Sequence, residues 1–236
     1  MVRNGTHTVK SYEQELGQLR AMVARMGGIV ESQVARALSA VAEHDGDAAR
    51  LVPEQDPEVD ALERDVEALA IRLLALRAPM AGDLREIVTA MKMTGDLERI
   101  GDYAASIARR SLRFDLADGR ISLSGLRSMG RLVQENLRRA IDAATQQDAD
   151  RAMEVWHSDQ AVDDYYTALF RSLVTYMMED PRNIGPCTHL LFIAKNLERI
   201  GDHATNIAER VYYSVTGDNM TGSRPRGTGT SSVDAS

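Results

Sequence analysis

The hexapeptide LERIGD occupies residues 97–102 and occurs again at residues 197–202. Six consecutive identities are hard to obtain by chance, and the two segments stay alike further along the chain. The matching positions follow one another at helical spacing, as Ala104/Ala204, Ile107/Ile207 and Arg110/Arg210. The sequence therefore predicts that a helical unit is duplicated, with an offset of 100 residues between these two segments.

Hydrophobic periodicity extends this duplication over most of the chain. Apolar residues recur at helical spacing, and no alternating strand pattern occurs. Six long helices are predicted: one ending at about residue 44, then 53–77, 83–114, 126–147, 150–178 and 183–211. The predicted fold class is all-α, with two tandem pseudo-repeated three-helix bundles over residues 1–115 and 120–215. A Gly/Ser/Thr-rich tail over residues 216–236 is predicted to be disordered.

The offset between the two units changes along the chain. In the first two helices of each unit, equivalent residues lie 103 positions apart, as in Met26/Met129, Val30/Val133 and Asp45/Asp148. A deletion of three residues in the second unit, in the turn before its third helix, accounts for the change. Deletions are tolerated in turns, so this register is consistent with a repeated fold.

Composition excludes several classes of protein. The 236 residues include 28 Lys and Arg against 35 Asp and Glu, and the net charge of −7 argues against nucleic acid or an anionic membrane as a main partner. The single cysteine, Cys187, cannot form an internal disulfide, and no Cys/His set has zinc spacing. The longest apolar run, 190–194, is far shorter than the roughly 20 residues of a membrane span. We expect a soluble cytoplasmic protein without direct membrane insertion.

Carboxylates spaced four residues apart are the candidate binding groups. Four of the pairs with this spacing stand at equivalent positions, two in each unit: Asp56/Asp60, Glu98/Asp102, Asp159/Asp163 and Glu198/Asp202. Each pair lies on the same flank of an apolar stripe, so each bundle is predicted to bring two pairs towards one shallow patch. Close carboxylates repel unless a cation lies between them, and oxygen ligands select Mg²⁺, Ca²⁺, Mn²⁺ or iron over thiolate-preferring metals. The alternative is a solvated acidic face on which Arg99 and Arg199 form surface ion pairs.

Glycine, cysteine and histidine give weaker indications. Gly101 and Gly201 lie inside their helices and indicate close helix packing, which we favour, or room beside the carboxylates. Cys187 and His189 are close in sequence but have no orienting acid, which favours a core or turn role over nucleophilic catalysis. His203 is predicted to point away from the adjacent acidic pair. One Glu-x-x-His sequence occurs, at residues 154–157, whereas a ferritin-like di-iron enzyme needs this motif on two helices, which argues against that class.

Longer segments around the hexapeptides complete a recognisable pattern: HTVKSYEQEL at 7–16, MGGIVESQVARAL at 26–38 and HLLFIAKNLERIGDHATNIAERVYY at 189–213. With these segments the chain resembles the PhoU family of phosphate-signalling regulators from residue 7 to about residue 215. The resemblance implies two three-helix bundles packed side by side, commonly in a homodimer. It also implies a non-enzymatic cytoplasmic adaptor that negatively regulates phosphate uptake and phosphate-starvation signalling. The implied partners are the ATPase subunit of the phosphate ABC transporter (PstB-like) and a sensor histidine kinase (PhoR-like).

The same resemblance bears on the acidic pairs. Some family members bind surface metal clusters through Glu/Asp-x-x-x-Asp motifs, which the four pairs of this chain match. The resemblance does not identify the metal, so Mg²⁺, Mn²⁺, iron and Zn²⁺ all stay open as cofactors. Gly95 and Asp96 differ from Lys195 and Asn196 at the equivalent positions, so the two patches need not bind equally. The alternatives are a carboxylate-bridged metalloenzyme on a helical bundle and a scaffold without metal.

Overall fold

The computed structural model describes residues 4–113 and 121–221, and every regular element in this part of the chain is helical. It contains α1 (Asn4–Glu43), α2 (Gly46–Glu54), α3 (Asp56–Arg77), α4 (Ala81–Ser111), α5 (Ser124–Gln146), α6 (Ala149–Glu179) and α7 (Ile184–Thr216), with a 3₁₀ turn at Pro181–Asn183. The prediction of an all-α fold with six long helices is confirmed. The short helix α2 is an addition to that prediction.

The second helix of the first unit is broken where the second unit has one continuous helix, α6. Residues 46–77 correspond to α6 at the offset of 103, but they form α2 and α3 with a break at Gln55. Pro57 causes the break, because it has no N–H to donate and its ring crowds the carbonyl one turn earlier. Gln160 takes the place of Pro57 in the second unit and lets α6 continue. The predicted helix start near Pro53 was therefore wrong.

Equivalent aspartates begin the second helical segment of both units. The side chain of Asp45 accepts hydrogen bonds from the backbone N–H groups of Asp47 and Ala48 at the start of α2. Asp148, at the equivalent position, accepts one from the N–H of Arg151 at the start of α6. Each cap is worth about 1 kcal/mol, so both units fix this helix start in the same way.

The helices form two bundles that lie side by side. α1 to α4 contact one another, as do α5, α6 and α7, while α4 packs antiparallel to α7 and α1 packs against α5 between the bundles. The apolar stripe of the duplicated helix is buried in both copies: Leu97, Ile100, Ala104, Ile107, Leu197, Ile200, Ala204 and Ile207. Burial of a large aliphatic side chain contributes roughly 1.5–3 kcal/mol, so this stripe is a main source of cohesion.

Two equivalent glycines allow α1 and α5 to approach closely. A Cβ atom on Gly27 would lie 3.0 Å from Ile141 Cγ2, and one on Gly130 would lie 2.5 Å from Leu38 Cδ2. Both the glycines and their contacts are related by the offset of 103. The two contacts are therefore copies of one another across a pseudo-twofold axis between the bundles.

A charged side chain, Asp96, is buried in the interface between α4 and α7. Its Oδ2 accepts a hydrogen bond from Arg210 Nε at 2.5 Å, and its Oδ1 lies 2.9 Å from His203 Nδ1. Asn206 Nδ2 donates to the same Oδ1 at 3.5 Å. Burial favours a raised pKa for Asp96, but the hydrogen bonds from His203 and Arg210 outweigh it and hold the pKa below its ordinary value. The carboxylate thus stays ionised between the bundles.

The predicted boundary between the two bundles, at residues 115–120, and most of the predicted tail lie outside the described residues. α7 runs to Thr216 and ends at Gly217, whose φ of 82° is a left-handed conformation that glycine adopts without strain. The domain boundaries at 1–115 and 120–215 and the disorder of 216–236 stay predictions. No helix in the described part of the chain combines the length and hydropathy that a membrane span requires.

Candidate metal-binding carboxylate patches

The first carboxylate patch combines the two acidic pairs of the first bundle, from the start of α3 and the middle of α4: Asp56, Asp60, Glu98 and Asp102. Burial raises the pKa of Glu98, and the nearby charges of Asp102, Glu63 and Asp60 add to this effect. Burial also raises the pKa of Asp56, with further contributions from Asp102 and Asp60. The structure therefore brings these two predicted pairs together across α3 and α4.

Asp56 is positioned by its helix and by a buried glutamine. It begins α3, where the positive end of the helix dipole favours a carboxylate. Gln33 on α1 is fully buried and donates from Nε2 to Asp56 Oδ1 at 3.0 Å. A Cβ atom on Gly101 would lie 3.0 Å from Oε1 of this glutamine, and one on Gly201 would lie 3.2 Å from Val162 Cγ1. The interpretation of both glycines as sites of close packing is confirmed.

The second carboxylate patch is the equivalent set on α6 and α7: Asp159, Asp163, Glu198 and Asp202. Burial raises the pKa of Glu198, Lys195 opposes this shift, and the charges of Asp202 and Asp163 add to it. The hydroxyl of Thr205 donates to Asp159 Oδ1 at 2.9 Å. The acids of α6 and α7 thus converge in the second bundle as those of α3 and α4 do in the first.

The two patches differ in exposure and in the cations beside them. Two members of the first patch are exposed to solvent, whereas two members of the second are buried. Lys195 forms an ion pair with Glu198 in the second patch, while Gly95 occupies the equivalent position beside the first. Arg99 approaches the carboxylates of the first patch no closer than 3.5 Å and is itself exposed. The first patch is therefore better placed to accept an external cation.

The donor chemistry of both patches fits a hard cation, because every donor is a carboxylate oxygen. Across residues 4–113 and 121–221, no three His, Cys, Asp or Glu side chains stand close enough together to hold a metal ion as they are placed. Closing a coordination sphere on the first patch requires new rotamers at Asp60 and Asp102, which are exposed and therefore free to turn. The metal assignment of the eight residues stays a prediction.

The predictions for Cys187, a core or turn role, and for His203, an orientation away from the adjacent acidic pair, agree with the structure. Cys187 is fully buried, and burial raises the pKa of its thiol, which agrees with a core role. His203 contacts Asp96 across the bundle interface, so the prediction that it points away from its neighbouring acidic pair is confirmed.

Both units of the chain match the same family model. That model, described as the PhoU domain, matches residues 23–111 and again residues 126–211. The chain belongs to the PhoU family. The presence of two matches also confirms the internal duplication that the repeated hexapeptide predicts.

Relatives in this family extend over nearly the whole chain. The phosphate-specific transport system accessory protein PhoU homolog of Caulobacter vibrioides is 52% identical over 221 residues, which cover 93% of this chain and 96% of the relative. The homolog of Zymomonas mobilis is 46% identical over 217 residues, covering 91% and 90%.

Solved PhoU structures share the fold. The crystal structure of PhoU from Pseudomonas aeruginosa superposes with a TM-score of 0.82 at 42% identity and covers 88% of this chain and 100% of that one. The phosphate transport system regulatory protein PhoU from Streptococcus pneumoniae also gives a TM-score of 0.82, at 31% identity, covering 89% and 99%. The predicted PhoU-like arrangement of two helical bundles is therefore confirmed.

Proposed function

We propose that this chain is a non-enzymatic accessory protein of a phosphate-specific transport system and a negative regulator of phosphate uptake and phosphate-starvation signalling. The observation that carries the proposal is the similarity to accessory proteins of that system over 93% of the chain, including both units. The Streptococcus pneumoniae protein with the same fold is described as regulatory. The buried thiol of Cys187 also favours binding over covalent catalysis.

In this proposal the chain acts in the cytoplasm as an adaptor between the ATPase subunit of the phosphate ABC transporter and a sensor histidine kinase. Exposed large apolar side chains at two turns support this role, because they provide one docking surface on each bundle. Leu76 and Met80 are exposed at the turn between α3 and α4, and Met178 and Ile184 are exposed at the equivalent turn between α6 and α7. Exposed apolar groups mark contact sites, and methionine adapts its shape to different partners. A second copy of the chain is a further proposed partner, in a homodimer.

A phosphate-regulated reporter gene tests the regulatory role. Deletion of the gene for this chain should make the reporter constitutive at high phosphate, and the wild-type gene should restore repression. Complementation with Met80→Asp/Met178→Asp should fail, because charges at both turns would oppose docking. Asp65→Asn, an exposed change in the middle of α3, serves as a control that should restore repression. Normal repression in the deletion strain would contradict the proposal.

We also propose that cations bridge the carboxylates of α3 and α4, and less readily those of α6 and α7. Mg²⁺, Mn²⁺, iron and Zn²⁺ are the candidates. The raised pKa values of Glu98 and Asp56 support this role, because a bound cation relieves the repulsion that contributes to them. The metal therefore stabilises the contact between two helices instead of activating a substrate.

Metal content measured on protein purified without chelator tests the cation sites. Glu98→Ala/Asp102→Ala should lose most of the bound metal, and Glu198→Ala/Asp202→Ala should lose less. A control that removes two exposed acids of α3 outside the patches, through changes at residues 65 and 67, should keep the wild-type content. Near-zero metal in every sample would contradict the assignment.

The alternative of a carboxylate-bridged metalloenzyme requires an open coordination position in an enclosed apolar pocket. Asp60 and Asp102 lie exposed on the flank of the first bundle, which does not provide such a pocket. The exposed position of these carboxylates speaks for a binding surface over a reaction site.

A further inference from the structure

Four basic side chains line an open groove between α4 and α7, which we call the basic groove. Arg109 and Arg110 come from α4, and Lys195 and Arg199 come from α7. The groove has a volume of about 460 Å³, and among the described residues that line it one is acidic, Asp102. The basic groove is therefore positively charged, although the whole chain has a net charge of −7.

Three of these four cations form no ion pair with a carboxylate of the described residues, although the charge of Arg109 acts on Asp56. Arg110 stacks on Phe192 at 4.1 Å from the ring centre, and its Nε is buried without a hydrogen-bond partner among the described residues. Arg199 lies 5.5 Å from the ring centre of Tyr103. In the described part of the chain no ion pair joins Arg109, Arg110 or Arg199 to a carboxylate, while Lys195 pairs with Glu198 at one edge. A buried donor without an acceptor is costly, and it belongs to a side chain that lines the groove.

The duplication supplies an internal comparison. At the offset of 100, Arg110 corresponds to Arg210, and Asn196 corresponds to Asp96. The half of the α4–α7 interface that is equivalent to the basic groove, which we call the related half, contains Arg210 and Asp96. There Arg210 donates to the buried carboxylate of Asp96. On the side of the basic groove an amide replaces that carboxylate, and Asn196 Nδ2 donates to Ser106 Oγ at 3.0 Å. The groove therefore lacks the anion that its counterpart carries in the protein itself.

A second substitution widens the difference between the two halves. Arg109 on α4 corresponds to Glu209 on α7, so the basic groove gains a cation where the related half has an acid. The carboxylate of Glu209 accepts a hydrogen bond from Trp156 Nε1 at 3.1 Å and belongs to the second bundle. Compared with its counterpart, the basic groove thus has one negative charge fewer at residue 196, and at residue 109 it has a positive charge in place of a negative one.

We propose that the basic groove binds a doubly charged tetrahedral oxyanion, either inorganic phosphate or the phosphoryl group of a phosphorylated small molecule, in place of the missing carboxylate. Arg110 and Arg199 donate charge-assisted hydrogen bonds from the two helices, since planar guanidinium groups match such oxygens. The amide of Asn196 and the hydroxyl of Ser106 supply neutral donors between them. The ligand then ties α4 to α7 as Asp96 does in the related half. This inference stands on the groove and the repeat comparison, independently of the regulatory role and of metal binding.

Equilibrium dialysis of the purified full chain against radiolabelled inorganic phosphate, at constant ionic strength set with sodium chloride, tests the proposal. The wild type should bind saturably with one anion per chain. Asn196→Asp should weaken binding about tenfold or more, because it places the internal acid of the related half into the groove without removing a cation. Arg110→Gln should weaken binding by a similar factor. Arg131→Gln, which removes an exposed cation of α5 outside the groove, should bind as the wild type does.

Parallel measurements with ATP separate the two sources of the oxyanion. Saturable binding of inorganic phosphate assigns the groove to the free anion, and binding of ATP alone assigns it to a phosphorylated molecule. Absence of saturable binding for both would overturn the proposal, as would unchanged binding in Asn196→Asp and Arg110→Gln. Circular dichroism and melting without ligand establish that the variants fold, and Arg199→Gln replaces any variant that does not. Asn196→Asp should melt no lower than the wild type, since its carboxylate can pair with Arg110.

Discussion

Replacing Asp96 with asparagine should loosen the contact between the two bundles. The Asp96 carboxylate is buried between α4 and α7, and it accepts a hydrogen bond from Arg210 while lying 2.9 Å from His203. Asparagine keeps the size of the side chain but removes the negative charge and turns one acceptor into a donor. That donor then faces the donors of Arg210, so the loss is electrostatic and leaves no cavity.

The size of the effect follows from the exposure of the partners. Removing one partner of a fully buried ion pair costs about 3–5 kcal/mol, because the remaining charge stays buried without compensation. The side chains of Arg210 and His203 keep 30% and 22% of their surface exposed, so both recover part of their hydration. We therefore expect a loss of about 2 kcal/mol in the free energy of unfolding, which is below that range. For a chain of this length it corresponds to a fall in melting temperature of about 4–8 °C.

The same substitution has a defined pH dependence. The pKa of Asp96 is held below its ordinary value, so the unfolded chain binds the proton more tightly than the native state does. The contribution of the carboxylate is therefore present in full above its unfolded pKa and is lost as the pH falls through its folded pKa. The difference between wild type and Asp96→Asn should be present at neutral pH and should narrow below about pH 4, as the carboxylate becomes protonated.

Thermal and urea unfolding followed by circular dichroism measure this difference. Asp65→Asn, which neutralises an exposed acid of α3, is the control and should change stability by no more than about 0.5 kcal/mol. A double-mutant cycle with Arg210→Gln should show that the two losses are not additive, because both remove the same pair. A melting temperature of Asp96→Asn equal to that of Asp65→Asn at neutral pH would refute the reasoning.

Further predictions concern packing, charge and the thiol. Gly130→Ala should cost about 1–3 kcal/mol in urea unfolding, because its Cβ would overlap a leucine of α1, whereas Gly28→Ala, whose Cβ meets open space, should stabilise by up to about 1 kcal/mol. The pKa of Glu98 is raised in the folded protein, so wild-type stability falls as the pH rises through that pKa. Glu98→Gln should therefore raise the melting temperature at pH 7 without metal. The difference in melting temperature from the wild type should shrink towards acid pH. Glu98→Gln/Asp102→Asn should also abolish any Mn²⁺-dependent rise in melting temperature. Cys187 should react with a thiol reagent in urea but not in the native protein.

The long helices could be predicted from sequence because each buries a continuous apolar stripe, and the period of that stripe specifies the helix. The break at Gln55 could not be placed in the same way. Pro53 and Pro57 both lie near it, and a proline also suits the first turn of a helix, so a helix start near Pro53 was an equally good interpretation. The structure assigns Pro57 to the first turn of α3 and keeps Pro53 inside α2.

The convergence of the acidic pairs could also be predicted, because helical phase and repetition place Glu98 and Asp102 on the flank that meets α3. The partners that position them could not be predicted. Gln33 follows Val30 and precedes Val34 on the buried stripe of α1, a polar residue at a core position, which was an available signal. Its acceptor, however, lies on another helix, and periodicity does not specify which helices meet.

Residues 95–96 and 195–196 explain why a duplicated fold offers two different binding surfaces. Lys195 neutralises Glu198 in the second carboxylate patch, whereas Gly95 leaves the first patch without an adjacent lysine. Asp96 pairs with Arg210 in one half of the bundle interface, whereas Asn196 leaves the basic groove without the equivalent carboxylate.

The two open sites are adjacent. Asp102 belongs to the first carboxylate patch and also lines the basic groove, and the charge of Arg109 in the groove acts on the pKa of Asp56 in the patch. Opposite charges bound at adjacent sites attract each other, so a cation in the first carboxylate patch should raise the affinity of the basic groove for an oxyanion. The oxyanion should in turn raise the affinity of the patch for the cation by the same factor. Phosphate dialysis repeated with and without Mn²⁺, on wild type and on Glu98→Gln/Asp102→Asn, measures this coupling. Equal phosphate affinities of the wild type with and without Mn²⁺ would show that the two sites are independent.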